Sequence, residues 1–261
     1  MAGRIVILGA GGLLGQVLTR RARSRGQQVL ALSSGQCDIT DPAAVRGHLV
    51  PGLVVINCAA YTKVDDAETD AARAFLVNAT GAGNIARSCA EIGVQLVHVS
   101  TDYVFSGDRR APYDTDEPTG PVNVYGRSKL AGEAEVLAAL PTARVVRTSW
   151  VYGGAVDGTD FVSVMRRKAA GPDEVQVADD QVGSPTYVAD LADALVDIAD
   201  GAGTAAVLHA ANGGAASRFE QAQAVFELLG ADPQRVRPVS SERFPRPAPR
   251  PAYTALAARR S

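Results

Sequence analysis

The chain has 261 residues, 46% of them hydrophobic and 21% charged, an ordinary globular composition that suits neither a disordered chain nor a membrane protein. Its 26 lysines and arginines and 28 acidic residues sum to a net charge of −2, so no basic face is expected to hold a phosphate backbone and nucleic acid is excluded as a partner. At roughly 150 residues per domain, the length fits one large domain or a large one with a small appendage.

In chain order, Ile5-Val6-Ile7-Leu8 comes first. Four apolar residues before a glycine cluster are too few for a signal segment or a membrane span, so the run reads as a buried strand. Val29–Leu32, Leu53–Ile56, Gln95–Val99 and Val145–Thr148 repeat the pattern, each followed by enough chain for a helix. Continuous apolar strands alternating with helices predict an α/β fold, a doubly wound parallel sheet covered on both faces. After Trp150 the pattern loosens. A helix over Phe161–Ala170, a short strand near Val175, a helix over Tyr187–Ala199, a strand over Ala206–His209 and a helix over Arg218–Leu229 predict a smaller lobe. The division is therefore residues 1–150 for a nucleotide-binding domain and 151–261 for a second lobe interleaved with it. Pro233–Pro251, with six prolines and five arginines, is expected to be irregular. Cys37, Cys58 and Cys89 lack the number and spacing of a disulfide framework or a C-x-x-C metal site, and a reducing cytoplasm suits them.

The first strand runs into Gly9-Ala10-Gly11-Gly12-Leu13-Leu14-Gly15 and then a helical segment reaching about Arg25. Leu14 breaks the G-x-G-x-x-G spacing, whereas Gly9, Gly12 and Gly15 satisfy G-x-x-G-x-x-G. Such a turn lets the backbone approach a pyrophosphate seated on a helix N-terminus, which predicts a Rossmann-type dinucleotide site. The acid expected at the end of the second strand, to bind a ribose 2′-hydroxyl, is replaced by Ser33 and Ser34. No carboxylate there repels a 2′-phosphate and no arginine demands one, so NADPH and NADH both fit. Asp38 with Ile39 could hold the adenosine or form a helix-capping turn, and the two roles are compatible.

Tyr125 and Lys129 are four apart at the start of a helical segment running through Leu137. They share one helix face, so the ammonium is expected to lower the phenol pKa from about 10 and make it an acid near neutrality. Upstream, Ser100-Thr101-Asp102-Tyr103 ends a parallel strand, the edge where open α/β sheets bind ligands. Thr101 could donate to a substrate carbonyl while Tyr125 delivers the proton. With the glycine turn, these are the parts of a carbonyl reductase.

The residues resemble the extended short-chain dehydrogenase/reductase family, over most of the chain from Arg4 to about Arg250. The segments carrying the resemblance are Val55–Thr62 (VINCAAYT), Val99–Phe105 (VSTDYVF), Asn123–Glu133 (NVYGRSKLAGE), Arg147–Gly153 (RTSWVYG) and Asp180–Thr186 (DQVGSPT). The resemblance implies Thr101, Tyr125 and Lys129 as catalytic residues. The reaction it implies is reduction of the 4-keto group of dTDP-4-dehydro-β-L-rhamnose to dTDP-β-L-rhamnose by NADPH or NADH. By the same carry-over Gly12, Leu13 and Leu14 line the pyrophosphate, Asp38 and Ile39 the adenosine, Ala60, Tyr61 and Thr62 the loop beside the cofactor, and Val99 the nicotinamide side. Lys129 holds the cofactor ribose. Thr101, Asp102, Tyr103 and Trp150 touch the nucleotide sugar, with Gln181 a weaker candidate. Trp150 also reads as a core anchor, and Gln181 as part of a structural turn.

His48, expected in an amphipathic helix, His98 in an apolar strand and His209 at a strand end have no ligand spacing, and no metal site is expected. Asp65, Asp66, Glu68 and Asp70 read as a solvated, helix-starting cluster without chemistry. Arg250-Pro251 matches a family Arg-Pro near the substrate lobe or belongs to a basic tail. Members of the family continue some tens of residues further, in some cases with acidic residues that bind Mg²⁺ at a dimer contact, so Mg²⁺-dependent dimerisation is not carried over. A monomer or homodimer acting on a small nucleotide-sugar, without a membrane, is expected. A related dTDP-4-keto sugar of the dihydrostreptose type is an alternative substrate. A non-catalytic subunit like the methionine adenosyltransferase β subunit is an alternative function.

Overall fold

The opening apolar run forms β1 (Arg4–Leu8), buried from Ile5 onward because it is paired on both sides. In the computed structural model, which describes residues 4–257, it leads to α1 (Leu13–Ser24), β2 (Gln28–Leu32), α2 (Pro42–Arg46) and β3 (Leu53–Asn57). Next come α3 (Ala71–Phe75), α4 (Ala82–Ile92), β4 (Gln95–Thr101), α5 (Val124–Ala139) and β5 (Arg144–Thr148). These strands form a wholly parallel sheet in the order β2-β1-β3-β4-β5, and one later strand completes it. The fold is therefore the expected α/β, Rossmann-type doubly wound sheet. Because β1 pairs with β2 on one side and β3 on the other, the crossovers diverge there and open a crevice at the strands' C-terminal ends.

Beyond Trp150 follow β6 (Val151–Tyr152), α6 (Phe161–Ala170), β7 (Val175–Ala178), β8 (Val182–Gly183), β9 (Thr186–Tyr187), α7 (Val188–Ala199), β10 (Val207–His209), β11 (Ala216–Ser217), α8 (Arg218–Leu228) and β12 (Val236–Val239). Two of these return to the sheet. β10 pairs with β5 as its sixth strand, and α7 packs Leu191 and Leu195 against Val17 and Leu18 of α1. α6, β7, α8 and β12 enclose a separate core of Met165, Val177, Phe226 and Val236, and β6 with β9 and β8 with β11 form two-stranded ladders beside it. The capping box at Ser217 and Glu220 fixes where α8 starts.

Three expectations change. Pro233–Pro251 is not irregular throughout, since β12 within it pairs in parallel with β7, with Pro238 in a two-stranded ladder. His48 follows α2 in a turn, because Gly47 caps that helix after one and a half turns. The acidic cluster is not merely solvated: Asp65 is bonded by Arg250, and the Glu68 carboxylate accepts the Val124 N–H at 2.8 Å at the start of α5. Among the described residues no helix is long and apolar enough to cross a membrane.

Candidate active site

The glycine turn is built largely by exclusion. Gly9 has φ +79°, and a Cβ there would lie 2.5 Å from the Ala59 nitrogen, while one on Gly15 would lie 2.3 Å from the Gly9 carbonyl oxygen. These two glycines let β1, α1 and the loop after β3 touch. Gly11 and Gly12 differ, since a Cβ on either would make only ordinary contacts at 3.7 and 3.6 Å; both are exposed and offer bare backbone to the cavity they line. Gly12 caps α1 without a side-chain bond, and no acid occupies the first turn. Free N–H groups and the positive end of the helix thus face a cavity of about 620 Å³.

Of the residues given a catalytic, cofactor or substrate role from sequence, all but Tyr61, Tyr103 and Gln181 line that one cavity. Ser33, Asp38 and Ile39 are at one end, and Val99, Thr101, Tyr125, Lys129 and Trp150 at the other. Asp38 accepts the Thr40 N–H and hydroxyl at 2.9 and 2.8 Å, which lowers its pKa, while Asp41 caps α2, so the turn and the cavity wall coexist. Ser33 donates to Gln36 Oε1 at 2.9 Å. Ala60 and Thr62 belong to a loop whose Tyr61 peptide is clamped by Asn78 at 2.8 and 3.0 Å.

Asn123 caps α5 by accepting the Gly126 N–H at 2.8 Å, which places Tyr125 and Lys129 in the first two turns. The helix comes this close because Gly126 and Gly132 carry no Cβ; one there would lie 2.2 Å from the Tyr103 carbonyl oxygen and 2.1 Å from that of Asn78. Lys129 is 2% exposed and donates to the Val99 carbonyl at 2.7 Å. Burial lowers it to about 8, with Glu133 the main group opposing that shift. Glu133 is itself held by Arg147 at 2.7 Å and by Ser100 at 2.5 Å. The phenol departs from expectation: burial pushes Tyr125 well above 10, Asp102 adds to the rise, and only a hydrogen bond with Thr101 opposes it. Tyr125 is therefore a protonated phenol at neutral pH, a donor rather than a base. Thr101 Oγ1 donates to Asp102 Oδ1 at 3.0 Å, and Asp102 also accepts from Ser149 at 2.8 Å and Thr254 at 2.6 Å. Asp102 reaches the cavity wall with its carboxylate already taken by three hydroxyls.

A second cavity, of about 650 Å³, adjoins the first. Tyr103 lines it and packs edge-on to Tyr125 with ring centres 5.9 Å apart; Gln181 lines it as well. Arg218, at the start of α8, stacks on Trp150 with its guanidinium carbon 3.4 Å from the ring centre and lies 4.9 Å from that of Phe161. Burial lowers Arg218 to about 10, and no carboxylate pairs with it among the described residues. Arg246 and Arg250 line the same cavity, Arg250 bonding both Asp65 oxygens at 2.8 and 2.9 Å. Trp150 has φ +46°, the one positive φ outside glycine among the described residues, a strained conformation at a cavity wall. A Cβ on Gly183 would lie 2.3 Å from its ring, which explains the glycine in D-Q-V-G-S-P-T.

Sequence reasoning missed Asn57, Asn78, Arg73, Arg218, Arg246 and Thr254. Asn57 accepts the Ala59 N–H at 3.0 Å and donates to His98 Nδ1 at the same distance, shaping the loop under the cavity. Asn78 lies in a π-helical turn over Leu76–Gly81, the kind of irregularity common at functional sites. Its signal was an asparagine within an otherwise helical run.

The family profile described as RmlD substrate binding domain matches residues 3–261. The chain is 60% identical over 262 residues to the dTDP-4-dehydrorhamnose reductase of Mycolicibacterium smegmatis, covering 100% of this chain and 80% of that one. It is 60% identical over 266 residues to the enzyme of the same name from Mycobacterium tuberculosis, covering 99% and 87%. A crystal structure of dTDP-4-dehydrorhamnose reductase from Bacillus anthracis in complex with NADP superimposes with a TM-score of 0.93 at 37% identity, covering 99% of this chain and 92% of that chain.

Proposed function

The chain belongs to the RmlD substrate binding domain family, and from that premise we propose that it is an oxidoreductase reducing the 4-keto group of dTDP-4-dehydro-β-L-rhamnose to dTDP-β-L-rhamnose with NADPH. The observation that carries the proposal is the convergence of Thr101, Tyr125 and Lys129 at one end of a cavity whose middle is bare glycine backbone and an uncapped helix N-terminus. That cradle fits a dinucleotide, because the pyrophosphate needs N–H donors and close backbone approach.

In this assignment the first turn of α1 holds the pyrophosphate, Asp38 and Ile39 flank the adenosine, and Ala60 to Thr62 and Val99 flank the nicotinamide end. When bound, the nicotinamide supplies the hydride. Lys129, fixed on the Val99 carbonyl, turns its remaining donors to the cofactor ribose. Tyr125 delivers its proton to the sugar oxygen, and its high pKa keeps it loaded as a donor throughout the neutral range. Lys129 then stabilises the phenolate that forms. Thr101 turns its hydroxyl from Asp102 to the keto oxygen, while Ser149 and Thr254 keep Asp102 in place. The sugar nucleotide occupies the second cavity, lined mostly by residues beyond Trp150 together with Val64 and Tyr103. Arg218, a half-buried guanidinium with no carboxylate paired to it among the described residues, holds the diphosphate, and Arg246, exposed beside Asp65, adds its charge at the same cavity. Trp150, Tyr103 and Gln181 wall the sugar. The reaction runs in the cytoplasm, and every residue invoked comes from one chain.

The test is loss of reduced-nicotinamide absorbance when the protein meets NADPH and freshly made dTDP-4-dehydro-L-rhamnose, with Tyr125→Phe alongside. Turnover by wild type and a loss of about 10³-fold or more in the variant, with nucleotide binding retained, is expected. Equal turnover by both would overturn the role of Tyr125, and none by wild type with bound NADPH would overturn the substrate. A second dTDP-linked 4-keto sugar, assayed in parallel, separates this substrate from its relatives.

A further inference from the structure

Two cations line the cofactor cavity, Lys129 at the catalytic end and Arg73 at the adenosine end. Arg73 lies on α3, far in sequence from the glycine turn, yet it lines the same cavity as Ser33, Ser34 and Asp38, and it is close enough to Asp38 for its charge to help lower that carboxyl's pKa. Among the described residues its guanidinium has no hydrogen-bond or ion-pair partner. Asp38 feels its charge without pairing with it, because Thr40 already bonds that carboxylate through its N–H at 2.9 Å and its hydroxyl at 2.8 Å. Ser33 is engaged with Gln36, whereas the Ser34 hydroxyl has no protein partner among the described residues. Gly11 backs this corner, its would-be Cβ 3.7 Å from the Ser33 Cβ, so the pyrophosphate turn and the end of β2 adjoin.

The end of the second strand is where such folds meet the ribose 2′ position, and here it presents hydroxyls instead of the acid that would select NADH. A 2′-phosphate brings close to two negative charges and needs a cation with donors to spare. We propose that Arg73 discriminates NADPH from NADH by binding the 2′-phosphate through its guanidinium, with the Ser34 hydroxyl as a second donor. The inference rests on the assignment of this cavity to NADP(H). It identifies a specificity residue contributed by a helix beyond the third strand, outside the glycine-turn and second-strand positions where sequence rules look for one. A guanidinium stacked on the adenine would instead serve both cofactors equally.

Calorimetric binding to wild type, Arg73→Gln and Arg73→Lys tests this, with NADP⁺, NAD⁺, adenosine 2′,5′-bisphosphate and ADP as ligands. Arg73→Gln should weaken NADP⁺ and adenosine 2′,5′-bisphosphate by about 10- to 100-fold, and leave NAD⁺ and ADP within about twofold. Arg73→Lys should recover part of the loss, since a lysine keeps the charge but not the two-pronged geometry. Equal loss for the phosphorylated and unphosphorylated ligands, or no loss for either, overturns the inference while the cofactor assignment stands. Wild type that binds neither dinucleotide overturns both.

Discussion

The two cavities are made of different material. The cofactor cavity is floored by backbone: bare glycines, a helix N-terminus and a loop pinned by Asn57 and Asn78. Its neighbour is walled by side chains from distant elements, with Arg218 between Trp150 and Phe161, and Arg250 clasping Asp65. A backbone floor recognises what every dinucleotide has in common, whereas a wall of side chains can be changed one residue at a time. Substitutions in the second cavity should therefore shift sugar binding and spare the cofactor, and only residues joining the two should disturb both.

The largest expected effect falls behind the cofactor cavity, where Glu133 bonds Ser100 and Arg147. Glu133→Gln leaves Arg147 buried without its counter-charge, and should cost on the order of 3–5 kcal/mol in urea unfolding. The same substitution removes the main group keeping Lys129 protonated, so the alkaline limb of the rate profile should move to lower pH. A drop in stability with no such movement would break the link between the two. Arg218→Ala comes next. It should raise the KM for the sugar nucleotide about 100-fold, with NADPH affinity within twofold, and loss of both would erase the distinction between the cavities.

Lys129→Met sharpens the same boundary. In the cofactor-free protein Lys129 titrates near 8, against about 10.4 in the unfolded chain. Between those values the unfolded chain holds a proton that the folded one has lost, so this group makes stability rise with pH. Wild type should gain on Lys129→Met between pH 8 and 10 in urea unfolding, and a constant gap would contradict a buried lysine. The smallest effect belongs to Asp65→Asn, a partly exposed pair that should raise the sugar-nucleotide KM about two- to fivefold through looser placement of Arg250 and Arg246.

How much the sequence disclosed follows the same division. The parallel sheet was legible from its apolar runs, and the cofactor cavity from motifs because each is local: seven residues hold the glycine turn, and five hold Tyr125 and Lys129. The second cavity was legible only in part: Tyr103 and Gln181 lie within motifs, whereas Phe161, Arg218 and Arg246 lie in none and are brought to it from separate elements by the tertiary fold. The short strands β6, β8, β9 and β11 escaped notice for another reason. Two-residue ladders show no periodicity, and tertiary pairing creates them. The phenol pKa was misjudged because helical spacing reports the nearby charge and says nothing of burial, which dominates here.

The bond from Thr254 to Asp102 joins residues 152 positions apart, and nearby Asn123 reaches back to the Pro249 carbonyl at 2.9 Å. A chain leaving the ribosome presents its sheet, glycine turn and tyrosine long before the residue that steadies Asp102 behind Thr101. Closing a loop of that size is among the later and slower events of folding. Competence to hold a dinucleotide and competence to turn over a sugar are therefore acquired at different moments of synthesis, and the second waits for the segment around Thr254.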